Sequence, residues 1–178
     1  MSSYRRVNQW LTFARQWWLF DAKQQDAFDA GQRIARYLHG RHKPIYDTDQ
    51  DVGDHVVVFN ARHISMPGDE WRKRYYFHHS HYSGGKKWTP AHQLHRLDPN
   101  LVLYKAIYRA CGNIGFKRRE LIARLHIYPD DKIPDHIMEN ITDQIRQVQP
   151  VLKSIQEYSQ EEILKYPKIF DYKPDYSK

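Results

Sequence analysis

The sequence is poor in cysteine: among its 178 residues the only one is Cys111. A single cysteine rules out an intrachain disulfide and a zinc site built from several thiolates. A nucleophilic role for Cys111 is one interpretation, but the sequence indicates no histidine that pairs with it. A buried thiol that packs as a small apolar side chain is the favoured one.

Long apolar runs and nucleotide-binding loops are missing as well. No apolar run approaches the roughly 20 residues that a membrane helix needs, so we expect no membrane contact. Neither a GxGxxG nor a GxxxxGK[ST] phosphate loop is present, which leaves nucleotide hydrolysis without support. We therefore expect no cofactor and no small-molecule substrate.

Acidic residues are absent from the first 20 positions, which contain Arg5, Arg6 and Arg15. This composition is typical of a mitochondrial targeting segment. The same segment holds several large aromatic residues, which indicates that it packs against something. A basic N-terminal arm over residues 1–16 is therefore an equal alternative.

The charge of the chain is positive and unevenly distributed. The formal net charge is +7 and the pI about 9.4, which favours an acidic partner. Residues 130–178 carry ten Asp or Glu against seven Lys or Arg, a net of −3, so residues 1–129 carry +10. We expect the first part to face a polyanion and the last part to contact protein.

The clearest strand signal is the β-branched and aromatic run over residues 55–60, which is typical of a strand covered on both faces. It follows Gly53, which stands in a turn sequence where a glycine can take the positive φ that a chain reversal often needs. An apolar run over 17–20 predicts an earlier strand. Helical spacing over 26–39 predicts a helix between the two strands, ended by Gly40. This βαβ order implies a parallel strand pair.

The remaining elements follow from local signals. A third strand is predicted at 74–77, and the pattern breaks at Pro129. We expect a basic arm at 1–16, an α/β core at 17–129, and an acidic helical extension and tail at 130–178. Further helices are predicted from Thr89-Pro90, from the N-cap Asp98 with Pro99, from Lys117 through Leu125, over 134–148, and from a capping box at Ser159 to Pro167.

Basic and aromatic side chains are interleaved over residues 71–88 and again over 104–119. Lys and Arg neutralise phosphates, while Tyr, Trp and His stack on unpaired bases. For a single cluster, a solvated basic face with its aromatics in the core is the better interpretation. Residues 1–129 contain four basic clusters in all and carry a net charge of +10, which favours nucleic acid as the partner. The GxxG sequence at 112–115 matches a phosphate-clamping loop, but a helix-terminating turn is its default interpretation.

Histidines offer a competing hypothesis, a metal-dependent hydrolase. His78, His79 and His81 lie together, and His92 and His95 are spaced to share one face of a helix. Adjacent histidines in an extended chain point in opposite directions, and no HExxH arrangement is present. Contacts with phosphates or bases are the better use of these side chains.

Several short segments between residues 18 and 128 occur together in the order and spacing of one known family. They are 18–22 (WLFDA), 38–46 (LHGRHKPIY), 53–58 (GDHVVV) with Asn60, Gly68, Tyr76, His79, Gly84, Gly85, Asp98-Pro99, 106–108 (AIY) and 124–128 (RLHIY). Through them the sequence resembles the universal large-subunit ribosomal protein thirteen family, in its mitochondrial branch. The segment after Pro129 also resembles the mitochondrial members.

The resemblance implies a three-layer α/β/α fold with a four-stranded, mostly parallel sheet, to which the helical extension is added. It implies a non-catalytic structural role: binding and ordering large-subunit rRNA during assembly and translation, beside other mitochondrial ribosomal proteins, in the mitochondrial matrix. An RNA-binding regulator that acts off the ribosome would use the same basic face and remains an alternative.

Two elements depart from the family pattern. Residues 28–31 lack the usual cation at the first helix, and the loop at 109–116 is one residue longer, so RNA contacts of these elements do not transfer. The basic residues that remain are the predicted RNA-binding set: Arg41, His42, Lys43, Arg72, Lys73, Arg74, His79, Lys86, Lys87, Lys117, Arg118 and Arg119.

Overall fold

The computed structural model describes residues 15–112, 117–153 and 155–167. The strands are β1 (Trp17–Asp21), β2 (His55–Phe59), β3 (Tyr75–His79), β4 (Lys86–Pro90), β5 (Leu125–Ile127) and β6 (Asp143–Gln144). The helices are α1 (Ala27–Leu38), α2 (Glu70–Lys73), α3 (Ala91–Leu97), α4 (Pro99–Ala110), α5 (Lys117–Ala123), α6 (Asp135–Met138) and α7 (Gln160–Lys165). None of these helices is long and apolar enough to cross a membrane.

Four strands form one parallel sheet in the order β5-β2-β1-β6. In the central pair Trp17 lies opposite His55 and Phe20 opposite Val58. The predicted βαβ unit and the predicted α/β class with a four-stranded parallel sheet are confirmed. Val56, Val57 and Val58 are fully buried, which explains why β2 is an unbroken apolar run.

Helices α1 and α4 pack against each other and against the sheet face that carries Phe20, Val56 and Val58. A Cβ added to Gly31 of α1 would lie 3.2 Å from the backbone of Ala106 of α4, so the glycine permits a close approach of the two helices. Of the positions that vary from the family pattern at 28–31, Gly31 therefore serves this packing.

Both long helices begin and end where the sequence signals predict. The Asp26 carboxylate accepts a hydrogen bond from Phe28 N at 2.9 Å, and the Asp98 carboxylate accepts one from Asn100 N at 2.9 Å. Pro99 occupies the first turn of α4, where no intrahelical donor is lost. Gly40 follows α1 with φ +75°, the left-handed conformation expected after a helix.

The helix predicted over 134–148 is wrong. Only α6 forms, and β6 then pairs parallel with β1, with Thr142 N donating to Trp17 O at 2.9 Å and Ile145 N to Leu19 O at 2.7 Å. The open edge of β1 offers backbone partners that the sequence does not reveal, and low helix propensity around Thr142 favours the strand. Gln25 and Gln149 then exchange two hydrogen bonds that fix the segment to the core.

Two other predictions are refined, and a third is confirmed. The predicted strand at 74–77 forms, but β3 pairs only with β4, in a separate antiparallel hairpin. The helix predicted from Lys117 through Leu125 ends at Ala123, because Leu125 joins the sheet. The capping box at Ser159 is present at the start of α7. The predictions for residues 1–14 and for the loop at 113–116 fall outside the described residues.

Candidate nucleic-acid interface

Asp54 organises the basic turn that follows α1. Its carboxylate is fully buried and accepts hydrogen bonds from Gln16 N and Trp18 Nε1, each at 2.9 Å. Lys43 forms an ion pair with the same carboxylate, and His42 Nε2 lies 3.0 Å from it. Of the three cations predicted to bind RNA here, only Arg41 is exposed; His42 and Lys43 hold the turn in place.

The electrostatics of this turn favour a structural role for His42. Burial lowers the pKa of His42, and the charge of Lys43 acts in the same direction, although Asp54 favours the protonated form. The imidazole is therefore mainly neutral near pH 7, and the turn presents less positive charge than its sequence indicates.

A second ion pair, between buried Arg124 and partly exposed Asp51, fixes the segment that leads to Asp54. Arg124 is 5% exposed, binds both carboxylate oxygens of Asp51, and donates to Leu38 O at 3.1 Å. Gly53 lies in the same contact, and its φ is not positive. A Cβ at Gly53 would lie 1.8 Å from Leu38 O, so glycine is required for close approach of two backbones.

Arg41 and Lys117, from the Gly40 turn and the start of α5, line one cleft of about 310 Å³. Lys117 Nζ also donates to Thr48 O at 3.2 Å. Asp47, Asp49 and Glu120 line the same cleft, so its charge is mixed.

The other two cations predicted in α5 lie on its surface or against an aromatic ring. Arg118 is half-buried, with its guanidinium 4.5 Å from the ring centroid of Tyr108, and Arg119 is exposed. Arg119 is therefore the more accessible of the two for a phosphate.

Helix α2 and its C-terminal end carry three predicted RNA-binding cations in different settings. Lys73 pairs with Asp69 at 3.3 Å, and Arg74 pairs with Glu70 while its guanidinium lies 4.1 Å from the ring centroid of Phe28. Arg72 is exposed, and no ion pair of it occurs among the described residues. Arg72 is thus the most available of the three for a phosphate.

The β3–β4 hairpin presents the remaining predicted residues. His79 and Lys86 lie directly opposite each other near the tip, and Lys86 and Lys87 are both exposed. Residues 71–97, which include the hairpin, contain six Lys or Arg and no Asp or Glu. The hairpin is therefore the most uniformly positive part of the candidate interface.

Two further sets of residues lie outside the predicted RNA-binding set. Arg33 and Arg36, on the outer side of α1, line an open cleft of about 680 Å³ beside His42. Cations near the end of a helix are explained in part by the helix dipole, so their positions alone do not indicate a site. The second set is aromatic: Tyr75, Phe77, Tyr82 and Trp88 are at least half exposed. Their spacing alone does not separate an exposed aromatic from one in the core.

The alternative sites find little support in the geometry. His92 Nδ1 lies 3.2 Å from Trp71 O and His95 Nε2 3.0 Å from Arg62 O, contacts that position helix α3. Within the described ranges no group of three or more His, Cys, Asp and Glu side chains is arranged to hold a metal ion. Burial raises the pKa of the Cys111 thiol to about 11, which leaves it un-ionised and poorly nucleophilic.

Comparison with known proteins gives consistent matches. The sequence profile described as Ribosomal protein L13 matches residues 15–134. The chain is 44% identical over 177 residues to large ribosomal subunit protein uL13m of Drosophila melanogaster, a match that covers 99% of this chain and 98% of that protein.

Bacterial relatives match a shorter part of the chain. Large ribosomal subunit protein uL13 of Coprothermobacter proteolyticus is 34% identical over 120 residues, covering 67% of this chain and 83% of that protein. The corresponding protein of Syntrophus aciditrophicus is 36% identical over 115 residues, covering 65% and 80%.

Proposed function

The chain belongs to the ribosomal protein L13 family, and on that premise we propose that it binds and orders rRNA in the large subunit of the mitochondrial ribosome. Proteins of this family are structural components and not enzymes. The observation that carries the proposal is the match to Drosophila uL13m, which extends over nearly the full length of both chains.

The mitochondrial assignment is supported by where the matches end. The bacterial relatives cover about two thirds of the chain, and the family profile stops at residue 134. The Drosophila mitochondrial protein continues through the extension as well. A ribosomal protein of this branch works in the mitochondrial matrix, in agreement with the basic, acid-free residues 1–20.

The rRNA contacts that we propose rest on exposed cations. Arg72, Lys86, Lys87 and Arg119 reach solvent, and Arg41 lines a cleft beside α1. His42, Lys43 and Arg74 contribute indirectly, because each pairs with a carboxylate that positions its own segment.

The acidic extension and tail, residues 130–178, are better suited to a protein neighbour than to RNA. Their net charge of −3 would be repelled by the phosphates of RNA. Leu152, Leu164 and Tyr166 are 74%, 84% and 69% exposed, an apolar surface that is typical of an interface. We propose that this segment contacts a neighbouring protein of the large subunit.

Replacing Lys86 and Lys87 together with alanine is expected to weaken binding to in vitro transcribed mitochondrial large-subunit rRNA. The slope of log K against log salt is expected to flatten by about 0.7 to 0.9 for each phosphate that the variant no longer neutralises. Salt titration of the affinity measures this. The matched control is the replacement of both Lys132 and Lys165 with alanine, since these two lysines are also exposed but lie in the acidic segment 130–178. An unchanged slope in the hairpin variant would remove these residues from the interface.

Depletion of the protein from cells tests the proposed role in the subunit. We expect the mature mitochondrial large subunit and mitochondrial translation to fall together, and re-expression of the full chain to restore both. Normal levels of large subunits in depleted mitochondria would contradict the proposal.

A further inference from the structure

The β3–β4 hairpin has one face that packs on the core and one that does not. Successive residues of a strand point to opposite faces, so Tyr76 and its cross-strand partner Thr89 share one face. Tyr76 packs against the core cluster, and Thr89 is 9% exposed. The other face carries Tyr75, Phe77 and Trp88.

These three aromatics are exposed to solvent. Tyr75 is 56% exposed, Phe77 50% and Trp88 63%. Phe77 and Trp88 are directly opposite each other, with ring centroids 4.7 Å apart and an interplanar angle of 49°. Contiguous exposed aromatic surface of this kind marks an interaction site. We name Tyr75, Phe77 and Trp88 the hairpin platform.

The charge around the platform identifies its partner. Lys86 lies on the same face, opposite His79, whereas Lys87, the next residue of β4, points to the other face of the hairpin. No acidic residue occurs between positions 71 and 97, against six Lys or Arg. An apolar surface flanked by exposed lysines suits a ligand that is flat, apolar on its faces and joined by phosphates. Unpaired nucleotides have these properties, because their bases stack on aromatic rings while cations bind their backbone.

Paired RNA does not fit the same surface. In an A-form helix the bases stack on one another, so that the backbone and the groove edges are what a protein can reach. Exposed rings gain little from such a helix, whereas lysines bind its phosphates equally well. The contribution of the platform to affinity should therefore be confined to single-stranded RNA, whereas the lysines of the hairpin should contribute to the affinity for single-stranded and paired RNA alike.

We propose that the hairpin platform stacks on unpaired bases of RNA, with Lys86, on the same face, contacting the adjoining phosphates and Lys87 adding positive charge from the other face. This inference rests on the proposed rRNA-binding function and specifies the kind of RNA that the hairpin takes: a single-stranded loop, bulge or end. The three aromatics supply stacking that tolerates any base sequence, and the lysines supply the salt-dependent part of the affinity.

The test compares the full chain with a double variant, Phe77→Ala with Trp88→Ala, on three probes. They are a 12-nucleotide single-stranded RNA of mixed sequence, the same strand in a blunt duplex, and the same strand with abasic sites. We expect the variant to bind the single strand about tenfold more weakly or worse. Affinity for the duplex and the abasic strand, and the salt dependence, should be unchanged. Tyr166→Ala, which removes an equally exposed ring from the extension, should change none of these values.

A second variant separates stacking from any effect on folding. Phe77→Tyr with Trp88→Tyr keeps two aromatic faces and is expected to bind the single strand with near wild-type affinity. A drop in the affinity of the alanine variant for all three probes alike would overturn the proposal, because bases would then not be involved. Unchanged affinity for the single strand would also overturn it, and would leave the platform to a protein neighbour.

Failure of this inference is distinguishable from failure of the proposed function. If the alanine variant still enters the mitochondrial large subunit and binds the single strand normally, the platform inference fails and the ribosomal role stands. If the wild-type chain enters no large subunit and binds none of the three probes, the proposed function fails and the platform inference fails with it.

Discussion

Replacing Asp54 with asparagine is expected to lower the free energy of unfolding by about 3 to 5 kcal/mol, because the change removes the negative charge with which the buried Lys43 ammonium forms an ion pair. The asparagine side chain is nearly the same size and keeps a carbonyl oxygen that can accept from Trp18 Nε1 or Gln16 N. The destabilisation therefore reports on the missing charge more than on packing. Urea or thermal unfolding of the purified chain measures it.

A double-mutant cycle gives the matched control for this prediction. Lys43→Met combined with Asp54→Asn removes both charges, and the combined variant should be more stable than Asp54→Asn alone. Asp49→Asn, an exposed carboxylate in the same loop, should change stability by less than about 0.5 kcal/mol. If Asp54→Asn behaves like Asp49→Asn, the Gly40 turn is held by something other than this buried carboxylate.

Replacing Gly53 with alanine is expected to cost about 3 kcal/mol, at the upper end for overpacking. The new Cβ would lie 1.8 Å from Leu38 O and 2.7 Å from Arg124 Nη2, so two backbone segments must separate. Their separation would break the hydrogen bond from Arg124 to Leu38 O, which is 3.1 Å long. The change in the midpoint of chemical unfolding gives the cost.

Gly68→Ala is the control for backbone conformation. Gly68 has φ +54°, and among the described residues other than Gly68 and its two chain neighbours no atom lies within 4 Å of a Cβ built there, so its replacement carries only the strain of the left-handed conformation. That strain is expected to cost about 1 kcal/mol. A destabilisation at Gly53 no larger than that at Gly68 would show that the close approach to Leu38 is not required.

Local signals predicted the long helices correctly. Asp26 and Asp98 cap their helices through hydrogen bonds within two residues, and Gly40 ends α1 through its own φ. Such features depend on neighbours in the chain, which is why the sequence reveals them. The helix expected over 134–148 failed for the opposite reason: the partner of β6 is β1, more than 120 positions earlier.

In the candidate site, too, the features that depend on local sequence were predicted, and those that depend on distant contacts were not. Composition located the basic segments, because charge is visible in any sequence. Whether a cation faces solvent or a buried carboxylate depends on distant contacts, as the pairing of Lys43 with Asp54 shows. Likewise Tyr75 and Tyr76 are adjacent and chemically identical, yet only one of them faces solvent. The sheet register and the packing of the hairpin decide between them.

Sedimentation of the endogenous protein from mitochondrial lysate on a magnesium-containing gradient tests the central claim most directly. We predict that the protein migrates with the large ribosomal subunit, and that treatment with RNase moves it to slow-sedimenting fractions. A free, slow-sedimenting pool that RNase does not alter would contradict a structural role in the mitochondrial large subunit.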